Sequence, residues 1–138
     1  RAVSTWPDWD SMERRIRMLF DGKPAHLARA LKETRDKYVG KDVLRTQLET
    51  FIRVWPELRE KVRLQIYSFD TVYDYLKRVG APDEPELIGI SRERLRDTFR
   101  RIPYMRSRFT NADIIRRLGI QDELENHLFG LGGHWEIA

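Results

Sequence analysis

A run of arginines over residues 92–108 has the side chains best suited to chemistry with an anion, because the planar guanidinium group matches the oxygens of phosphate. Three of these arginines are four residues apart and share one helix face: Arg92, Arg96 and Arg100. Glu93 and Asp97 are also four residues apart, so part of the positive charge is neutralised within the run. We therefore expect most of these arginines to pair at the surface or between helices. Arg106 and Arg108 remain as candidate contacts for phosphate or another anion.

No other set of residues has the spacing of a catalytic or metal-binding motif. The three histidines do not pair four residues apart, and none lies in a His-Glu-x-x-His motif: His26, His127 and His134. The sequence has no cysteine, which excludes disulfides and thiolate zinc sites. The glycines of residues 130–133 follow no strand, so they do not form a dinucleotide-binding loop. We assign no catalytic, cofactor-binding or metal-ligating residue to this chain.

The composition is that of one globular domain, since 41% of the 138 residues are hydrophobic and 35% are charged. The net charge of +4 raises nucleic-acid binding as a hypothesis. However, the two signs are mixed at helical spacing, which is typical of a solvated surface. No apolar run approaches the roughly 20 residues of a membrane span, and residues 1–20 do not resemble a signal peptide. We predict a cytoplasmic protein that does not enter the membrane.

Apolar residues recur every three or four positions along most of the chain. This periodicity predicts an all-α fold, a multi-helical bundle of about seven or eight helices. Pro56 is expected either to kink a helix that begins near Asp42 or to start the next one. Pro103 must kink the helix that begins after Ser91 if that helix continues past it.

The sharpest helix boundaries are predicted between residues 88 and 120. Ser91 has the position of an N-cap, and Thr110 with Asp113 has the spacing of a capping box. Gly119 is suited to end the second helix in the left-handed conformation. We predict a single helical domain over residues 1–129 and a flexible, glycine-rich C-terminal tail over residues 130–138. Since the chain begins with Arg1 rather than methionine, we expect it to be a fragment of a longer protein.

Three segments carry a resemblance to a known family: residues 84–93 (EPELIGISRE), residues 104–110 (YMRSRFT) and Leu118-Gly119. They resemble the C-terminal helical domain of bacterial sn-glycerol-1-phosphate dehydrogenases. The preceding part, from Trp9 through Trp55 to Gly80-Ala81-Pro82, is similar in the order of its helices. These enzymes belong to the superfamily of iron-containing alcohol dehydrogenases, glycerol dehydrogenase and 3-dehydroquinate synthase. The resemblance implies a dehydroquinate synthase-like C-terminal lobe.

In this family, an N-terminal α/β lobe binds NAD(P) and the helical lobe carries most of the metal ligands. The resemblance implies that a divalent metal (nickel, zinc or iron) polarises a small phosphorylated substrate while hydride passes to or from the nicotinamide. The reaction would interconvert dihydroxyacetone phosphate and sn-glycerol-1-phosphate. The metal ligands of the family are an aspartate and two histidines, one in a His-Gly-Glu-type motif that precedes the region matched here, and no position of this chain matches them. Pro103 and Met105 also depart from the family pattern.

We therefore expect this chain to bind neither metal nor NAD(P) alone and to be inactive without the N-terminal lobe. A glycerol dehydrogenase-like lobe remains an alternative, and a homodimer remains open. For either kind of dehydrogenase lobe, we expect an exposed apolar patch where the rest of the enzyme packs.

Two other classes of function remain. A basic helical nucleic-acid-binding module would use Arg100-Arg101 and Arg116-Arg117 as contacts, and its affinity would fall steeply with salt. A protein-interaction module without chemistry would be a well-formed monomer with no incomplete face. Because of the resemblance, we rank the dehydrogenase lobe first among these classes of function.

Overall fold

The computed structural model describes residues 1–137, and every regular element in this range is helical. The eight α-helices are α1 (Ala2–Thr5), α2 (Trp9–Leu19), α3 (Pro24–Arg35), α4 (Lys41–Gln65), α5 (Phe69–Arg78), α6 (Arg92–Arg101), α7 (Asn111–Leu118) and α8 (Gln121–Phe129). Two short 3₁₀ helices, Pro85–Ile88 and Ile102–Tyr104, lie before and after α6. The predicted all-α bundle of about seven or eight helices is confirmed.

Local side-chain chemistry sets the ends of the later helices. Ser91 caps α6 by accepting a hydrogen bond from the backbone N–H of Arg94 at 3.3 Å. Thr110 and Asp113 form a capping box at the start of α7. Gly119 ends α7 with φ of 69°, in the left-handed region that glycine adopts at least cost. All three predicted boundaries are confirmed.

The core lies where α2 and α3 meet the first half of α4 and the turn Ile102–Tyr104. Its buried residues are Trp6, Met12, Ile16, Phe20, Ala30, Leu44 and Tyr104. Three of them are four residues apart on one face of α2 and its end, which explains the amphipathic pattern of that segment: Met12, Ile16 and Phe20. The indole N–H of Trp6 donates to the carbonyl of Val39 at 2.8 Å, which ties the N-terminus to the segment before α4.

Proline acts differently at the two predicted kink positions. Helix α4, 25 residues long, continues through Pro56, so this proline lies inside one helix and does not start the next one. Proline leaves the carbonyl of Ile52 without its helical partner, but both residues are exposed and water can satisfy that carbonyl. At Pro103, in contrast, α6 has already ended at Arg101, and the proline lies at the start of a 3₁₀ turn. No kinked helix forms there.

Residues 130–137 fold back on the helices. The N–H of Trp135 donates to the carbonyl of Leu128 at 2.9 Å, and the N–H of Ile137 donates to the carbonyl of Phe129 at 3.0 Å. Arg92 of α6 donates to the carbonyl of Glu136 at 3.0 Å. Glycine content predicted a flexible tail over 130–138, of which Ala138 lies outside the described residues. The described part is held by these hydrogen bonds, which composition alone does not reveal.

Candidate functional site

Arg106 and Arg108, the predicted anion contacts, are both exposed in the loop before α7. Between them, the backbone N–H of Ser107 donates to a carboxylate oxygen of Glu33 on α3, which anchors the loop. Hydrogen bonds from Ser107 hold the pKa of Glu33 below its usual value, so a carboxylate stays ionised beside the two arginines. The next residue, Phe109, is 49% exposed.

Three other arginines of the 92–108 run bind protein groups. Arg100 of α6 forms a two-pronged ion pair with Glu125 of α8, with Nε 2.9 Å from Oε2. Arg92 lies 2.9 Å from Glu86, and Arg101 donates from Nε to the carbonyl of Leu19 at 2.7 Å. The predicted pairing of this run at the surface and between helices is confirmed for Arg92 and Arg100.

Arg116 is buried between two aromatic rings. Its guanidinium carbon lies 5.2 Å from the ring centre of Trp6 and 5.0 Å from that of Tyr104. One nitrogen donates to the sulfur of Met12 at 3.2 Å, and another lies 3.8 Å from the carboxylate of Asp113. A desolvated guanidinium stacked in this way stabilises the fold, and it is withdrawn from the surface.

Arg117, the neighbouring residue, is buried on a different side of α7. It donates to the carbonyl of Lys37 at 2.9 Å and to the side-chain oxygen of Gln47, and its guanidinium carbon lies 4.7 Å above the ring of Phe109. Lys37 in turn contacts Asp113, with Nζ 2.7 Å from Oδ1. These contacts join α7 to α4 and to the segment after α3.

The buried charges of this cluster do not balance. Three cations, Lys37, Arg116 and Arg117, share one buried carboxylate, Asp113, and each side chain is at least nine-tenths buried. Burial lowers the pKa of Lys37, as do the two arginines to a lesser degree, while Asp113 opposes the shift. Burial also lowers the pKa of Arg117. The cluster therefore has a local excess of positive charge, and an additional anion nearby would be stabilised.

An apolar groove runs between α4 and α7, and it was not recognised in the sequence. Its α4 wall continues a stripe with three- and four-residue spacing: Leu44, Leu48, Phe51, Trp55, Leu58 and Val62. Its α7 wall consists of Ile114, Ile115 and Leu118, followed by Ile120. We call the space between these walls, from Phe51 to Val62, the α4–α7 groove.

The α4–α7 groove is large and has one basic end. It comprises two adjoining cavities of about 500 and 690 Å³, which share Phe51 and Ile114 as lining residues. The smaller cavity is also lined by Lys37, Phe109 and Arg117. The charged cluster of α7 therefore forms one end of an otherwise apolar groove, which we call the basic end.

In and around this groove, the residues of the second half of α4 and of the whole of α5 are mostly exposed. No residue of α5 is buried, and from Ile52 to Gln65 only Leu58 is less than exposed. The exposed apolar residues of this region are Ile52, Val54, Trp55, Val62, Leu64, Ile66, Tyr67, Phe69, Val72 and Tyr75. Exposed apolar side chains in this number on two consecutive helices are typical of a contact site for another protein element.

The described residues do not fit the metal or the nucleotide that the resemblance implies. Within residues 1–137, no three histidine, cysteine or acidic side chains come close enough to hold a metal ion. The same residues form no strand that could lead into a phosphate-binding glycine loop. None of their helices has the length and apolar composition needed to cross a membrane.

Comparison with known proteins adds no family: no protein-family model matches the chain, and neither a curated protein nor a solved structure is significantly similar to it. The fold and the site define an all-α protein with an exposed apolar groove that has a basic end.

Proposed function

We propose that this chain is the C-terminal helical lobe of a metal- and NAD(P)-dependent sn-glycerol-1-phosphate dehydrogenase, and that its exposed apolar surface packs against another lobe. The observation that carries the proposal is the surface formed by the second half of α4 and by α5. Monomeric soluble proteins seldom expose more than a few hundred Å² of continuous apolar surface. A lobe that is covered by the rest of an enzyme can have a large apolar surface, because that surface is not exposed to solvent in the complete protein.

The segments that resemble the dehydrogenase family lie at the entries to α6 and α7. Residues 84–93 form the 3₁₀ helix Pro85–Ile88, the left-handed Gly89 and the cap of α6. Residues 104–110 form the loop that carries Arg106 and Arg108 and ends at the cap of α7. The resemblance thus covers the connections that orient α6 and α7, as well as helix order in the remainder.

In this proposal, the chemistry is performed by residues outside this chain. No group of three histidine, cysteine or acidic side chains among the described residues could hold a metal ion, so we assign no catalytic step to them. Their role is to pack against the catalytic lobe and stabilise its folded structure. A glycerol dehydrogenase-like lobe would have the same role, with glycerol in place of the phosphorylated substrate.

The buried arginines favour this proposal over nucleic-acid binding. Arg100 and Arg101 are bound to Glu125 and to the carbonyl of Leu19, and Arg116 and Arg117 lie nine-tenths buried. A surface that tracks phosphates needs arginines free to reach them. A protein-interaction module without chemistry predicts no incomplete face, and the exposed surface of α4 and α5 argues against it.

The test uses the complete gene product that contains residues 1–138. We would measure oxidation of NADH and of NADPH with dihydroxyacetone phosphate in the presence of Ni²⁺, Zn²⁺ or Fe²⁺, and repeat the assay with residues 1–138 alone. We expect metal-dependent turnover by the complete protein and none by residues 1–138. Lack of turnover by the complete protein with any of these metals overturns the proposal. A parallel assay follows reduction of NAD⁺ with glycerol as the substrate. Turnover in this assay alone would favour the alternative, a glycerol dehydrogenase-like lobe.

A further inference from the structure

The shape of the α4–α7 groove selects a helix as its occupant. Phe51 and Val62 are eleven positions apart, which corresponds to about 16 Å or three helical turns. The α4 stripe alternates three- and four-residue steps, the spacing by which one helix packs along another. An extended strand would need free backbone partners, and the groove walls are helices that present mostly apolar side chains, with Asn111 as the polar residue of the larger cavity.

The charges beside the stripe are basic. At about 100° per residue, the charged side chains of α4 closest to the stripe are Lys41, Arg45, Arg59, Lys61 and Arg63. The acidic residues of α4 start from the opposite side of the helix: Asp42, Glu49, Glu57 and Glu60. Three of them nevertheless pair with basic residues of the flanks, Asp42 with Arg45, Glu57 with Lys61 and Glu60 with Arg63. Because Lys41 and Arg59 form no ion pair within α4, a helix that lies along the stripe still meets a net positive charge at its flanks.

The basic end extends this pattern. Lys37 and Arg117 line the groove there with only Asp113 to balance them, and the exposed Arg106 and Arg108 flank the same loop next to Phe109. A carboxylate that enters from a partner would relieve the excess of buried positive charge.

From this shape and charge, we propose that the α4–α7 groove binds an acidic amphipathic helix of the other lobe, with its apolar stripe on α4 and α7 and its carboxylates at the basic end. The inference rests on the proposed function for the source of this helix, and on the groove alone for its chemistry.

A second copy of this chain does not meet these requirements. Pairing of two α4 stripes would bring basic flanks together, which is unfavourable. The one strongly acidic helix among the described residues, α8, packs on α6, and its Glu125 is already bound to Arg100.

The probe is a pair of synthetic helical peptides of about 18 residues, a length at which an isolated helix begins to be stable. Both carry leucines at alternating three- and four-residue spacing. The flanking positions are glutamates in one peptide and lysines in the other. We would titrate each peptide into residues 1–138 by calorimetry and follow tryptophan emission, since Trp55 in the groove is 44% exposed. We expect the glutamate peptide to bind at least about tenfold more tightly, with affinity that falls as salt increases.

Two exposed positions of α4 give a matched pair of variants. Val62 lies in the groove and is 36% exposed, whereas Leu64 lies on another side of the same helix and is 88% exposed; neither residue belongs to the buried core. We expect Val62→Glu to weaken binding of the glutamate peptide at least about tenfold and Leu64→Glu to leave it unchanged. The double variant Arg106→Glu, Arg108→Glu should reduce the difference between the two peptides.

Three results would overturn the inference: equal affinity for the two peptides, no binding of either, or a dimer of residues 1–138 in sedimentation that Val62→Glu dissociates. The last result would assign the groove to a second copy. None of these results changes the outcome of the dehydrogenase assay. Conversely, a complete protein without turnover overturns the proposed function and the source of the helix, while the peptide affinities still report the chemistry of the groove.

Discussion

Lys37 and Asp113 form an ion pair that is buried on both sides, with Nζ 2.7 Å from Oδ1 and side chains only 7% and 1% exposed. The other carboxylate oxygen of Asp113 accepts from the backbone N–H and the hydroxyl of Thr110, at 2.9 and 3.0 Å. Arg116 lies 3.8 Å away. One carboxylate thus caps α7 and also joins that helix to the segment after α3.

Removal of this carboxylate should be strongly destabilising. We expect Asp113→Ala to lower the free energy of unfolding by about 3–5 kcal/mol, because it leaves buried cations without a partner. Asp113→Asn should cost less, since it keeps an acceptor for the cap. Urea denaturation monitored by circular dichroism measures both. As a control, Asp42→Ala should change stability by less than about 1 kcal/mol, because the Asp42 side chain is 98% exposed. Equal losses at positions 113 and 42 would contradict the buried pair.

The stacking of Arg116 leads to a second prediction. We expect Arg116→Ala to lower the free energy of unfolding by about 2 kcal/mol or more, because the guanidinium is desolvated between Trp6 and Tyr104. Arg116→Lys should not restore the loss, since an ammonium group lacks the flat face that stacks on both rings. Arg15→Ala is the matched control at an exposed position lining the same cleft, and thermal unfolding compares the three variants. A loss at Arg15 as large as that at Arg116 would contradict the stacking.

A third prediction concerns acid and the start of α2. Asp8 caps α2 by accepting from the N–H of Ser11 at 2.8 Å, and hydrogen bonds from Ser11 hold the pKa of Asp8 below its usual value. The stabilisation from this ionised cap is complete above the pKa of aspartate in the unfolded chain, and it is lost as pH falls through the lower pKa of the folded state.

Asp8→Asn retains an acceptor at the cap but does not titrate. We therefore expect the urea midpoint of the native chain to exceed that of Asp8→Asn at neutral pH, and the difference to shrink at about pH 3. Ser11→Ala, which removes one of the two hydrogen bonds, should weaken this pH dependence. If the difference between the two urea midpoints grew as the pH fell, the pKa of Asp8 would be raised rather than lowered in the folded state.

Helix boundaries could be predicted because the residues that set them are neighbours in the sequence. The contacts of Ser91 with Arg94 and of Thr110 with Asp113 span three residues each, so their spacing alone indicates the cap. The continuity of α4 through Pro56 could not be predicted in the same way. It depends on whether the freed carbonyl faces water, which only the tertiary structure decides.

The burial of Arg116 and Arg117 was missed for a similar reason. Their partners Met12 and Gln47 are 104 and 70 residues away in the chain. A local signal did exist, since Asp113 precedes the two arginines by three and four residues on a helix. It indicated internal pairing but not the depth of burial.

Only the α4 wall of the groove could be predicted from the sequence. The stripe from Leu44 to Val62 has clear helical periodicity, which is typical of a helix face that is buried. Leu44 is buried, whereas Trp55 is 44% exposed, because no element among residues 1–137 covers the second half of α4. Periodicity identifies a face that can be buried, and the presence of a partner decides whether it is.

This difference between the halves of α4 leads to a fourth prediction. Leu44 anchors the first half in the core, while the second half has no buried residue and contains a proline that removes one helical hydrogen bond. Local opening of residues 57–65 therefore costs little of the stability of the domain. We expect their amides to exchange with deuterium at least about tenfold faster than those of residues 45–50.

Pro56→Ala should restore the missing hydrogen bond and slow exchange over residues 57–65, with little effect on residues 45–50. Glu57→Ala is the matched control, because it retains the proline and breaks only an exposed ion pair with Lys61. Hydrogen exchange followed by mass spectrometry resolves the two halves. Uniform protection along the native α4 would mean that this half is stable without a partner, which would weaken the case that the groove needs another helix to cover it.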